Sequence, residues 1–310
     1  MNQLRVGIIT INWNGYELTT RCVASLLNLQ YSLFHIYIVD NNSNNDEGQR
    51  LVELYHNDSR ITVILNPRND GYAGGNNVGI VQARSDKYNQ GIWCINNDAT
   101  AEPGALLALV AMAATDVNIG LVGSTILYPD RKTIYALGGG TFNAWSGIDH
   151  LCGAHTTFQP LLEPPINLTY ISGAALYITQ RGLTACPGFD SDYFLYCEEL
   201  DLALRISRAE LRLTYAPLAV VIHDSAATTG HMSATYVYYF LRNRLLLLRK
   251  RLPWYHWPTY AAVYVGYYVL GFMVILTLKR KMVLWRYILQ AVADFFRHRW
   301  GYQTLLRNNR

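Results

Sequence analysis

The chain has 310 residues, half of them hydrophobic and 15% charged. A sizeable core is therefore available, as one large domain or two smaller ones, and the charged fraction falls below the roughly 25% of an ordinary soluble protein. Thirteen of the 26 Lys and Arg lie in 242–310 against a single acid, Asp294, which leaves 1–241 acidic and points the tail towards an anionic membrane surface or nucleic acid. The five cysteines show no paired short spacing, which excludes a zinc site and a disulfide framework and fits a reducing compartment. The N-terminus leads directly into a strand, so no secretory signal is expected.

Apolar runs rich in β-branched residues predict strands at 4–11, 35–39, 61–65 and 91–95. Helical periodicity predicts helices over 16–29, 47–55 and 73–84 between them. The alternation implies an α/β protein with a mostly parallel sheet covered by helices. Pro103 in a first-turn position predicts a helix over 104–114, followed by a strand at 119–123. From 128 to 165 Gly and Pro punctuate weaker strands such as 133–137, which predicts loops and short β-ribbons. Residues 168–179 regain strand character. An amphipathic helix is expected over 198–209, then short strands at 213–215 and 219–222. After Gly230 the character changes. Residues 236–252 form a helix dense in Leu and Arg, 259–278 carry no charge, and 282–300 are amphipathic and basic.

Four polar clusters fall at the C-terminal ends of the first four strands: Asn12-Trp13-Asn14-Gly15, Asp40-Asn41-Asn42-Ser43, the run from Asn66 to Asn77, and Asn96-Asn97-Asp98. This edge of an α/β sheet is where ligands bind. A nucleotide needs these groups: amides and a carboxylate for base and ribose, glycines where backbone nears phosphate, and a carboxylate for a divalent cation. Any one cluster alone is an ordinary strand-to-helix turn, with Asn12 or Asp40 as a cap. Four at one edge favour a site. No Gly-x-Gly-x-x-Gly follows the first strand and no Gly-Lys-Thr loop occurs, which weakens dinucleotide and ATP readings.

Together with Ser172-Gly173-Ala174-Ala175, the run from Phe194 to Leu202, and His223, these pieces resemble the family 2 glycosyltransferases, inverting nucleotide-sugar enzymes of the GT-A fold. The pattern is most similar to their rhamnosyltransferase-like bacterial branch. The resemblance implies a GT-A catalytic domain over 1–230, with a nucleotide-sugar half (1–100) and an acceptor half (101–230). Residues 231–310 would be a helical, basic, membrane-associating region. It implies donor contacts from Thr10, Asn12, Asn14, Asp40, Asn42, Asn69, Gly71, Gly74, Asn76, Asn77, Asn96 and Asn97, with Asp40 on a pyrimidine base. Mg²⁺ or Mn²⁺ would be held by Asp98 and His223. Asn96, a neutral oxygen donor, stands where the family's Asp-x-Asp motif has its first carboxylate. Acceptor contacts would come from Ser172, Gly173 and Ala174.

By the same resemblance the general base would fall on Glu199 of the pair Glu198-Glu199, with Asp201 as a further catalytic candidate. An acceptor hydroxyl must lose its proton as it attacks the anomeric carbon, and a carboxylate within reach can take it. The same acids also suit the positive N-terminus of the helix they open. The implied donor is dTDP-L-rhamnose, with UDP-galactofuranose or a UDP-N-acetylhexosamine behind it. The implied acceptor is a glycan or polyprenyl-linked glycan in bacterial surface polysaccharide synthesis. The alternative is a non-catalytic subunit or a nucleic-acid binder. Retention of Asp40, Asp98, Glu199 and His223 argues against degeneracy, and the uncharged aromatic run suits lipid better than nucleic acid. That run has about the ~20 residues of a membrane span. A peripheral or monotopic placement at the cytoplasmic face of the cell membrane is expected, with 282–300 in the interface. A single span and a buried helix are the alternatives.

Overall fold

The computed structural model describes residues 4–86, 89–159, 168–224 and 233–304. The first third builds β1 (Arg5–Asn12), β2 (Phe34–Asp40), β3 (Ile61–Leu65) and β4 (Asn89–Ile95), joined by α1 (Tyr16–Leu27), α2 (Glu47–Tyr55) and α3 (Gly71–Ser85). All four strands are parallel. In this register Asn12 lies opposite Asp40, so two of the polar clusters become neighbours.

The chain continues through β5 (Ala99–Ala101), α4 (Ala105–Ala113), β6 (Ile119–Leu127) and β7 (Ile134–Leu137). Next come β8 (Gly139–Phe142), β9 (Asp149–Leu151), β10 (Tyr170–Ile171), β11 (Ala175–Thr179), α5 (Gln180–Ala185), α6 (Glu198–Arg208) and β12 (Arg212–His223). The main sheet runs β3-β2-β1-β4-β11-β6-β12-β5 with β7 on β6, and β10-β8-β9 form a second, smaller sheet. Strands β11, β5 and β7 run antiparallel to their neighbours. Helices cover both faces, so the central strand β6 is buried at every position.

The structure departs from the sequence expectations in places that matter. The strand expected over 168–179 is cut by Ser172, Gly173 and Ala174, and its halves enter different sheets. The two strands expected at 213–215 and 219–222 are one, with a register shift around Pro217, which has no N–H to give the ladder. Strand β5 was too short to show any period.

Beyond β12 lie α7 (Ala234–Arg251), α8 (Trp257–Val263), α9 (Leu270–Leu278) and α10 (Trp285–Phe296). The expected division at residue 230 falls within 225–232, outside the described residues. Helix α7 is no appendage. Its Val237, Tyr238, Leu241, Leu245 and Leu248 share one core with Leu200 and Ile206 of α6, Ile288 and Ala291 of α10, and Ile178 of the sheet. Several bases of the expected basic tail also turn inward. Arg242 and Arg244 are buried, Arg244 pairs with Asp149, Lys250 with Asp190 and Asp192, and Arg251 with Asp190 and Asp201.

From Trp254 to Leu278 the helix is continuous, and among the described residues it alone is long and apolar enough to cross a membrane. Tyr260, Tyr264, Tyr268, Phe272 and Leu276 face inward at four-residue spacing. In a 3.6-residue helix such a stripe drifts by roughly 40° per step. A π-helical turn at Tyr264–Val269 widens the helix and counters the drift. The tyrosine hydroxyls donate to main-chain carbonyls of Arg244 (2.9 Å), Leu241 (3.2 Å) and Gly147 (3.0 Å). The other face, with Tyr267, Leu270, Val274 and Leu278, is exposed. The helix therefore lies along the body rather than inside it.

Candidate active site

The donor edge is a hydrogen-bonded network. Asn12 Nδ2 donates to Asp40 Oδ1 at 2.8 Å, to Ser43 Oγ at 3.0 Å and to Glu47 Oε2 at 3.1 Å. Ser43 N–H donates to Asp40 Oδ2 at 3.1 Å. Thr19 Oγ1 donates to Asn12 Oδ1 at 2.6 Å and accepts from Asn97 Nδ2 at 3.0 Å. Clusters at the ends of β1, β2 and β4 are thus locked together, and the Asp40 carboxylate is held in one orientation. Asn41 does the same for the third cluster: its Nδ2 donates to Asn69 Oδ1 (3.1 Å) and Gly71 O (3.0 Å), and its Oδ1 accepts from Asn66 Nδ2 (2.8 Å). A cavity of about 1070 Å³ opens here, lined by Trp13, Asn14, Asn42, Asn69, Asp70 and Gly74, and by Gly301 and Tyr302 from the C-terminal segment.

On the far side, β12 pairs with β5 so that His223 lies opposite Ala99. This places His223 Nε2 3.1 Å from Asp98 Oδ1 and 3.4 Å from Asn96 Nδ2. Both side chains are buried, and His223 Nδ1 has no hydrogen-bond partner. A separation near 3 Å is that of adjacent ligands each about 2.1 Å from one ion. One carboxylate, one imidazole and a nearby amide suit Mg²⁺ or Mn²⁺ once diphosphate and water complete the shell. Among the described residues no group of three His, Cys, Asp or Glu converges; Asp98 and His223 would supply only part of a shell.

Between these two walls lies the turn that cuts the expected strand. Ala174 O accepts from Asn96 N–H at 3.0 Å, and Gly173 O accepts from Tyr72 Oη at 2.5 Å. A Cβ added at Gly173 would lie 3.8 Å from Cβ of Glu199. Glu199 sits in the first turn of α6, and its Oε2 is sealed from solvent without a hydrogen-bond partner. Burial is the main reason its carboxyl is raised from 4.5 to about 7, with Asp149 adding to the rise and Arg244 opposing it. Glu198 is pushed well above the carboxylate range by burial and by the charge of Glu199. The two carboxyls titrate as a pair, and burial raises both.

Other candidates occupy different places. Asn14 and Asn42 adopt left-handed backbone at the cavity rim. Thr10 is fully buried. Asn76 Nδ2 donates at 3.0 Å to Tyr72 O, one turn earlier in its own helix, and Asn77 clamps the Phe189 backbone at both ends of its amide (2.8 and 2.8 Å). Gly71 has φ +69°, and a Cβ there would meet Phe194 O at 2.2 Å. Ser172 N–H donates to Gly138 O. Asp201 is fully buried and gripped by Arg205 Nε at 2.7 Å and by Arg251; with both oxygens bound to guanidinium it braces α6 against α7. Sequence reasoning missed Thr19, Glu47, Tyr72, Asp149, Arg244 and Tyr302. Tyr72 and Glu47 lay inside or beside the motif runs, whereas the others have no local signal.

Residues 7–177 match the family described as Glycosyl transferase family 2. The N-acetylglucosaminyl-diphospho-decaprenol L-rhamnosyltransferase of Mycobacterium tuberculosis is 27% identical over 262 residues, covering 79% of this chain and 84% of that one. The crystal structure of GalNAc-T7 with UDP, GalNAc and Mn²⁺ superposes with a TM-score of 0.63 at 15% identity, over 96% of this chain and 58% of that one. The mannosyltransferase PcManGT from Pyrobaculum calidifontis, in complex with GDP-Man and Mn²⁺, gives 0.56 at 14% identity, over 96% and 88%.

Proposed function

Because the chain belongs to glycosyl transferase family 2, we propose that it transfers a sugar with inversion from a dTDP or UDP donor to a lipid-linked glycan. The donor sugar proposed is L-rhamnose. The name and 84% coverage of the mycobacterial relative support this choice of donor and a polyprenyl-linked acceptor. The observation that carries the reading is the arrangement about the 172–174 turn. The Asp98–His223 pair adjoins one side through Asn96, and the unpartnered carboxylate oxygen of Glu199 adjoins the other.

In this reading Asp40 and its amide network hold the base of the nucleotide. Mg²⁺ or Mn²⁺, held by Asp98 and His223, would neutralise charge on the departing diphosphate. Glu199 accepts the proton of the acceptor hydroxyl while that oxygen bonds to the anomeric carbon and the carbon–phosphate-oxygen bond breaks. Burial suits Glu199 to this role, since a base that titrates near neutrality is ionised yet still basic.

The protein would work at a membrane surface, on its cytoplasmic face. In support, the exposed flank of the 254–278 helix is apolar, and Lys279, Arg280 and Lys281 at its end are exposed. Hydrogen bonds from Tyr260 and Tyr264 to α7 carbonyls and from Tyr268 to Gly147 O favour an interfacial helix over a single span. The test is release of nucleoside diphosphate in the presence of N-acetylglucosaminyl-diphospho-decaprenol. dTDP-L-rhamnose, UDP-galactofuranose and UDP-N-acetylglucosamine would be compared with Mn²⁺ or excess chelator. Acceptor-dependent release from dTDP-L-rhamnose that needs the metal is expected. Release from a UDP sugar alone would move the donor to that class, and no acceptor dependence with any donor would refute transfer.

A further inference from the structure

The backbone leading into Glu198 and Glu199 is held in an unusual conformation. Phe194 (φ 64°), Tyr196 (φ 68°) and Cys197 (φ 70°) all lie in the left-handed region, although none is Gly, Asn or Asp. Isolated chain would relax out of it. What holds it is a pair of side chains on α7. Asn243 Nδ2 shares its two hydrogens among three loop carbonyls, Tyr193 O at 2.8 Å, Leu195 O at 2.6 Å and Tyr196 O at 2.9 Å. Arg242 donates from Nε and Nη2 to Asn243 Oδ1 at 2.9 and 2.7 Å, which fixes the amide with its NH₂ group towards the loop. The same guanidinium reaches Asp192 O and Tyr193 O, each at 3.0 Å. Arg242 and Asn243 are both fully buried.

The opposite side of the loop is pinned too. Phe194 O accepts from Ala73 N–H at 3.2 Å, at the start of the helix that borders the donor cavity. The loop is thus wedged between the donor helix and α7, with the base at its end. These bonds do not reach the Asp98–His223 pair or the Asn12–Asp40 network, although Phe194 of the loop also lines the donor cavity.

We propose that Asn243, oriented by Arg242, is a positioning residue for sugar transfer. By holding the 193–197 backbone it sets where the first turn of α6 begins, and so where Glu199 meets the acceptor hydroxyl. The proposal rests on Glu199 being the base. It makes α7 part of the catalytic apparatus and not merely the root of a membrane-facing helix. Misplacing a reacting group by about 1 Å costs on the order of 10²-fold in rate, so loss of the three bonds should lower kcat by roughly 10–100-fold. The Asn12–Asp40 network lies outside these bonds, so donor KM should change far less than kcat.

The experiment compares Asn243→Ala, Asn243→Ser, which keeps one donor, and Leu247→Ala, a cavity in the same buried helix that leaves the loop bonds alone. kcat and donor KM are read with the donor that the wild type turns over, alongside Tm. The expected result is a kcat loss in Asn243→Ala, a smaller loss in Asn243→Ser, donor KM within about two-fold in both, and near-normal kcat in Leu247→Ala despite a lower Tm. If Asn243→Ala fails to fold, Asn243→Ser against Leu247→Ala carries the same comparison. Normal kcat in the Asn243 variants, a kcat loss in Leu247→Ala matching theirs at equal Tm, or a KM rise that tracks the kcat loss would overturn the positioning role. A wild type that transfers no sugar would overturn the reading of the site itself.

Discussion

Replacing Glu199 with Gln separates chemistry from stability in a way that few substitutions do. The side chain keeps its shape and loses its basicity, so turnover should fall roughly 10²–10⁴-fold, the usual worth of a general base, with donor affinity nearly unchanged. Stability should move as well. The carboxyl rises from 4.5 in the unfolded chain to about 7 in the folded protein, so the folded state holds this proton more tightly. Its contribution to stability is complete below pH 4.5, shrinks as pH rises towards 7, and is gone above that. At about 1.4 kcal/mol per pH unit the loss is at most about 3 kcal/mol, shared with Glu198. The Gln variant has no such loss. Comparing its Tm with wild type at pH 5 and at pH 8 removes the constant cost of a buried amide. The difference should shift in the variant's favour by up to about 6 °C, at about 2 °C per kcal/mol for a chain of this size. Full turnover in Glu199→Gln, or a Tm difference that does not change between the two pH values, would refute the assignment. The same pattern in Glu198→Gln instead would move the base by one residue.

Wild-type kcat/KM should rise with pH through an apparent midpoint near 7 as Glu199 ionises, and a pH-rate profile flat from 5 to 8 would contradict this. Asp98→Ala and His223→Ala should each weaken donor binding in Mn²⁺ and leave binding in excess chelator as poor as wild type, which calorimetric titration of dTDP can read. Asp201→Asn should lower Tm while largely sparing kcat, because its carboxylate binds Arg205 and Arg251; a kcat loss without a Tm loss would return it to the catalytic group. A chain ended at residue 230 should be insoluble, since it exposes the α6 face and strips cations from Asp190, Asp192 and Asp201. A soluble, nucleotide-binding fragment would contradict this. Full-length protein should float with anionic vesicles, and recovery in the soluble fraction at low salt without detergent would refute the interfacial helix.

The parallel half of the fold was legible because strands and helices there alternate with clean periodicities, and the helix at 47–55 needed no adjustment. The same holds for the clusters at the strand ends, whose position follows from the sheet itself. What sequence could not show was long-range. His223 reaches Asp98 only because β12 pairs with β5, and β5 is three residues long. The 168–179 segment has strand character on both sides of Ser172-Gly173; only the two sheets reveal the break at that turn. Arg242 and Arg244 looked like tail charge suited to lipid headgroups. Folding buries both, one against main-chain carbonyls and one against Asp149, because the groups that satisfy them lie some fifty to a hundred residues away in the chain. The uncharged aromatic run that suits lipid includes Tyr260, Tyr264 and Tyr268, whose hydroxyls stitch the helix to the body.

The central claim is that this chain moves a sugar from a nucleotide onto a lipid-linked glycan. The most direct measurement follows label from dTDP-[¹⁴C]-L-rhamnose into N-acetylglucosaminyl-diphospho-decaprenol, with Mn²⁺ present, extracting the lipid and determining the anomeric configuration of the new bond. The account predicts labelled glycolipid with inverted configuration, lost in Glu199→Gln and in excess chelator. Label that stays entirely in the aqueous phase while the protein binds dTDP would contradict it, and retained configuration would contradict the single displacement assigned to Glu199.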